Sequence, residues 1–328
     1  MNQIVNGKDD KVLTPFNHVA IWIVSILGLT GNLAGFISTY RIHIGFPATR
    51  LLIRLQYVWD TIGIIIVAIY WVTFNLNIPP EILTNSVFSS LWSSYYVAAI
   101  PIILSLTNTM LLSVDRYWAI VWFKKYRRDS LYYRSTLITI MFVWTIVITM
   151  PTAILGYLSV NVHLIGADLI TIYRKAKSIL QFILCLIGPS ILICTTQTHI
   201  LIILNRLNSG RSTGLSSTDG GDRPKENTVD DDMRALSKSI IIMMVAFFLV
   251  RFPSYFGYIL TAFGMVKPLT VQEWKIQTIV SLSVNFCINP FALIFTIKGS
   301  RGCIFHRLHS YVKLIRHWCS RCLFQRSN

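Results

Sequence analysis

The chain has 328 residues, 53% of them hydrophobic and only 13% charged, and its mean hydropathy is +0.56. Soluble domains carry about 25% charged residues. This composition therefore excludes a disordered chain, a coiled coil and a secreted disulfide scaffold, argues against a soluble enzyme, and points to a helical membrane protein. The formal charge of +16 comes from 30 Lys+Arg against 14 Asp+Glu.

Charge is costly at the bilayer centre, so long gaps between charged residues mark spans. Seven such gaps occur, each long enough to cross ~30 Å of hydrocarbon as a helix. Residues 1–17 form a polar N-terminal segment, and the first span covers about 18–40, with Asn32 between Gly31 and Gly35. The second, about 52–76, is broken only by Asp60. The third, about 88–118, ends on Asp115-Arg116-Tyr117, and the fourth covers about 135–158. The fifth covers about 178–205 and is followed by a Gly-, Ser- and charge-rich loop, 208–232, that reads as disordered. The sixth, about 236–264, is broken only by Arg251, and the seventh covers about 272–297. The 18–298 region is thus an all-α seven-helix membrane bundle. Barrel strands would be about half as long and would alternate in polarity. In the basic 299–328 tail, Ile304, Phe305, Leu308, Val312 and Ile315 share one helical stripe. This predicts a short amphipathic helix on the inner leaflet, with Cys303, Cys319 and Cys322 as candidate acylation sites that anchor it to membrane lipid.

Loop charge sets the orientation. The side bearing the N-terminus holds Lys8, Lys11, Arg174, Lys175, Lys177, Lys267 and Lys275, and the opposite side holds about three times as many cations. The N-terminus is therefore expected outside and the C-terminus in the cytosol, as in a multi-pass plasma-membrane protein. Because the charge is spread over interhelical loops, nucleic acid is not the expected partner. The three remaining cysteines, Cys185, Cys194 and Cys287, fall inside spans, so no outer-face disulfide is expected. His18, His43, His163, His199, His306, His309 and His317 are scattered, and no catalytic pairing or metal cluster emerges.

The polar landmarks inside the spans narrow the class. In order they are Asn32, Asp60, Asp115-Arg116-Tyr117, Trp144, Pro189, Phe247 with Pro253, and Asn285 with Asn289-Pro290. One landmark in each span, in order, resembles the rhodopsin-like family of G-protein-coupled receptors, over about residues 18–310. The resemblance implies a non-enzymatic receptor without cofactor. It would bind an extracellular ligand and activate a heterotrimeric G protein, with arrestin and a receptor kinase as further partners. It also implies sodium at Asp60 with Ser105, Asn285 and Asn289. A protonated Asp60 in a plain hydrogen-bond network is the alternative. Arg116 would be held by Asp115 at rest and would meet the G protein when the sixth span swings out; a snorkelling boundary arginine is the other reading. Pro253 and Pro290 lack amide hydrogens, so hinges are expected beside them and near Phe247.

Departures from the family pattern are as informative. Leu91 stands where relatives carry the cysteine bridged to the second outer loop, Gln197 and Leu293 replace two tyrosines, and Met233, with Asp232 beside it, stands in place of an acid that often clasps the span-three arginine. Arg251 stands where relatives usually carry a tryptophan. A buried guanidinium needs anions or water. It either faces an acidic ligand group or reaches Asp60 in place of sodium. Ala98 occupies the place of the aspartate that pairs monoamines, and span seven has no lysine to attach retinal, so neither ligand class is expected. The expected pocket wall of Tyr95, Ala98, Ile102, Arg251, Tyr255 and Ser283 suits a neuropeptide or a small acidic molecule. Two other readings stay open: a homologue that binds without signalling, and a transporter or channel. The latter is opposed by the lack of repeated halves.

Overall fold

A computed structural model describes residues 15–41, 46–75, 92, 96–124, 126, 130–160, 167–213, 224–266, 271–296 and 302. Among them there is no strand. Seven helices are long and apolar enough to cross a membrane. In hydrocarbon every backbone amide needs an internal partner, and the helix provides one within each segment.

Span one is the helix Pro15–Arg41, span two Pro47–Asn75, span three Tyr96–Val121 and span four Leu131–Val160. Span five joins Ala167–Phe182 to Gly188–Thr213 through one π-helical turn, Ile183–Ile187. Pro224–Ala262 forms span six and Val271–Thr296 span seven. Spans one, two and six each open on a proline, which loses nothing at a position whose amide has no intrahelical acceptor.

Several helices outrun the apolar gaps that predict them. The loop expected to be disordered over 208–232 is shortened from both sides: span five continues to Thr213, and span six begins at Pro224. An established helix adds residues without a new nucleation cost, so the membrane spans extend into polar sequence. The expectations for residues 1–14, 214–223, 88–91 and the 299–328 tail, including Cys303, Cys319 and Cys322, fall outside the described residues, as does Tyr95, apart from Gly302.

Span three occupies the centre, with 67% of its apolar window buried against 33% for spans one and four. It packs on spans two, four, five and six, and span seven closes the ring against one, two and six. The outward faces are apolar, as at Leu33, Val143, Ile146 and Leu249, and the interior holds the polar residues Asn32, Gln56, Asp60, Ser105, Asn108, Asn285 and Asn289. A lipid solvent makes this arrangement favourable: tails solvate the apolar face, and the polar groups find partners only inside. Asn32 Nδ2 donates to the Gly28 carbonyl at 2.9 Å and to the Phe286 carbonyl at 3.3 Å, tying span one to span seven. Gly35 and Gly63 permit close approach. A Cβ on either would stand 2.3 Å from a ring atom, of Tyr57 and of Phe286 respectively.

Candidate functional site

The polar interior forms three layers. The outermost surrounds Arg251, which is 9% exposed on span six. Its Nη1 donates to Ser281 Oγ over a long 3.4 Å, and its buried Nε has no hydrogen-bond partner. The guanidinium lies 5.2 Å from the Tyr255 ring centroid, and Tyr255 is within hydrogen-bonding reach of both Arg251 and Cys185. The π-turn bears on this layer: within it, Cys185 and Leu186 are buried against the bundle. Lys177, two turns outward on span five, is also buried, with Nζ 5.6 Å from the Tyr258 ring centroid and Arg174 close enough to add like charge. Among the described residues no acid makes a salt bridge with Arg251 or Lys177. Of the other expected wall residues, Ala98 and Ile102 are buried on span three, and Ser283 donates back to the Ile279 carbonyl at 2.9 Å.

The middle layer centres on Asp60, which is fully buried. Ser105 Oγ donates to Oδ1 at 2.7 Å, and Asn289 Nδ2 donates to Oδ1 and Oδ2 at 3.2 and 3.1 Å. Gln56 Nε2 does the same, at 3.2 and 3.1 Å, from one helical turn below. Asn285 joins Ser105, Asn289, Met243, Met244 and Phe247 around a cavity of about 10 Å³ without hydrogen-bonding the carboxylate. That is room for about one water. Arg251 does not reach this layer. The expected alternative that it pairs with Asp60 is corrected, because its guanidinium is turned to Ser281 and Tyr255 while Asp60 is filled by uncharged donors.

In the innermost of the three layers, at the end of span three, Arg116 is 1% exposed and pairs with Asp115 through Nη2 and Oδ2 at 3.2 Å. Asp115 takes three more donors: Thr49 Oγ1 at 2.6 Å, and the Tyr126 and Tyr133 hydroxyls at 2.7 and 3.2 Å. Burial, and then the Asp115 carboxylate, push the Tyr126 phenol above its usual range, so it remains a neutral donor. Toward span six, among the described side chains, Arg116 meets Met233. Its Nη1 faces the Met233 sulfur at 3.9 Å, a weak acceptor. Tyr117 packs obliquely on His199, their ring centroids 5.6 Å apart. Gln197 Nε2 donates to Ser113 Oγ at 2.7 Å, and Leu293 is fully buried. Pro253 and Pro290 lie inside continuous helices, and Phe247 is buried on the wall of the middle-layer cavity.

The sequence reading did not single out Gln56, Thr49, Asn108, Tyr126 or Tyr133, and it assigned Lys177 to a loop. Gln56 carried one usable signal, its place one helical turn before Asp60. Among the described residues, no group of three or more His, Cys, Asp or Glu side chains is placed to hold a metal ion.

Seven apolar helices around such an interior define a polytopic, multi-pass membrane protein. The family described as "7 transmembrane receptor (rhodopsin family)" matches residues 49–293, from span two to span seven. The chain belongs to the rhodopsin family of seven-transmembrane receptors, which bind extracellular ligands and signal through G proteins. A comparison with curated proteins finds no match.

Proposed function

We propose that the protein is a plasma-membrane receptor, N-terminus outside, whose extracellular ligand carries a carboxylate or comparable acidic group that pairs with Arg251. A small acid or a peptide fits this chemistry. Arg251 carries the reading: it is a nearly buried guanidinium with a long hydrogen bond to Ser281, the neutral Tyr255 beside it, an unpartnered Nε and, among the described residues, no acid as counter-charge. A buried charge without a counter-charge costs several kcal/mol, and a bidentate anion removes that cost. Lys177 and Arg174 extend the positive surface outward and would steer an anion inward. Ligand binding shifts the bundle toward a state in which Arg116 leaves Asp115 and meets the G protein. The thioether of Met233 opposes span-six movement more weakly than a carboxylate would. Arrestin, a receptor kinase and lipid at the acylated tail are further partners in this reading, and no chemical step is catalysed.

The test is guanine-nucleotide exchange in membranes, challenged with a panel of acidic peptides and small carboxylates. Wild type is expected to respond to at least one, and Arg251→Ala to respond with about 100-fold lower potency, the usual consequence of removing one partner of a buried ion pair. Leu293 and Gln197 favour a second reading, a binding-only homologue. Neither supplies a phenol to hold an active state, and Gln197 is tied to Ser113. Saturable binding without exchange would select it.

A further inference from the structure

Asp60 stands where the family pattern implies a sodium ion. A hard cation needs oxygen ligands that present lone pairs. Asp60 instead receives donors on both oxygens, and the one from its own helix cannot be turned away. Gln56 Oε1 accepts from Asn108 Nδ2 at 2.8 Å and from Thr109 Oγ1 at 3.1 Å. Asn108 Nδ2 also donates to the Leu52 backbone carbonyl at 2.8 Å. A carbonyl oxygen is acceptor only, so it fixes the Asn108 amide. Asn108 in turn requires the Gln56 carbonyl to face it. The Gln56 NH₂ must then face Asp60, and it also donates to Ser105 Oγ at 2.6 Å. Flipping Gln56 would set its NH₂ against the Asn108 NH₂ and its oxygen against the carboxylate, losing the bonds to Asn108 and to Asp60.

We infer that the Gln56 amide takes the place of a cation at Asp60, so that this receptor's resting state is held by an internal hydrogen-bond network and is indifferent to sodium. Ser105 and Asn289, the other residues expected around the ion, are drawn into the same network as donors. Asn285 is left on the wall of a cavity that holds about one water. Spans two, three and seven are thereby joined without an ion.

The experiment needs no ligand. Purified full-length receptor is unfolded by heat in sodium chloride and in choline chloride at equal ionic strength, with sodium-23 line broadening as a direct readout of bound ion. Wild type is expected to show the same midpoint in both salts and no saturable broadening. Gln56→Met keeps the side-chain length but removes the amide, freeing lone pairs on Asp60. It is expected to gain a saturable sodium-dependent rise of about 2–4 °C together with line broadening, and Asp60→Asn in that background is expected to abolish both. A wild type that is stabilised by sodium, with broadening lost in Asp60→Asn, overturns the inference. So does a folded Gln56→Met that ignores sodium. Should Gln56→Met fail to fold, the wild-type sodium-23 measurement decides alone.

Discussion

At the residue scale, the Arg116 end of the bundle is held by one carboxylate with four donors. Asp115 accepts from Thr49, Arg116, Tyr126 and Tyr133, three of them from outside its own helix or across a loop. A hydrogen bond to a charged acceptor contributes about 1.5–3 kcal/mol when buried and less at a half-exposed position. Removing the two phenol donors in Tyr126→Phe/Tyr133→Phe should loosen Arg116 and raise basal nucleotide exchange about fivefold, equivalent to roughly 1 kcal/mol between resting and active states. Unchanged basal exchange would show that the phenols do not restrain Arg116. The sign of the pH dependence follows from the raised Tyr126 phenol. Its contribution is fully present below the ordinary tyrosine value of about 10 and is lost only as pH rises through the higher folded value. Basal exchange that is flat from about pH 6 to 9 is therefore expected, and a rise within that window would contradict it.

The same scale shows what a lone sequence does and does not disclose. Asp60, Arg116 and Arg251 stood out because charge in an apolar run is conspicuous. Gln56, Asn108 and Thr49 did not, because an uncharged polar residue in a span is common and only its neighbours across the bundle give it meaning. Tyr126 and Tyr133 were silent for another reason: one precedes span four and the other stands in its first turn, where no apolar period points a side chain at Asp115.

Among the elements, the existence and order of the seven spans follow directly from the gaps between charges. Their ends do not, because a helix continues past the last apolar residue when the preceding turns are already formed. Lys177 shows the consequence. Its charge closed the fifth apolar gap in sequence, yet in the structure it lies within the Ala167–Phe182 helix and is buried. The π-turn at Ile183–Ile187, invisible in composition, sets the rotation of this half of span five relative to Gly188–Thr213. Reversing the charge in Lys177→Glu would replace a cation that draws an anion inward with a carboxylate that repels it. The expected outcome is normal surface expression with loss of ligand-driven exchange; a preserved response would remove Lys177 from the site. The contact between spans two and seven is as exacting. Gly63→Ala would set a Cβ about 2.3 Å from the Phe286 ring. Overpacking of that kind costs about 1–3 kcal/mol, so the unfolding midpoint should fall by several degrees, and an unchanged midpoint would show that Phe286 shifts freely.

For the molecule as a whole, in the proposed orientation with the N-terminus outside, three layers stacked along one bundle give a physical route from outside to inside. Arg251 and Lys177 form a positive outer layer, Gln56, Asp60 and Asn289 join three helices at mid-depth, and Asp115 holds Arg116 at the cytosolic end. Span six contributes to the first and last of these, at Arg251 and Met233, and Pro253 lies two residues beyond Arg251. An anion drawn to Arg251 therefore acts on the helix whose other end faces Arg116. The charge asymmetry of the loops favours the proposed orientation with the N-terminus outside, and tags on the two ends of intact cells check it: only the N-terminal tag should be labelled before permeabilisation.

The claim at the centre is that an acidic ligand group meets Arg251 and that this contact drives signalling. Concentration–response curves for nucleotide exchange test it most directly, comparing wild type with Arg251→Ala across the panel of carboxylate ligands and their amide or ester counterparts. Neutralising either partner is expected to lower potency about 100-fold, and doing both should add little more, because the two changes remove one interaction. Equal potency for acid and amide on wild type, or undiminished response in Arg251→Ala, would contradict the account.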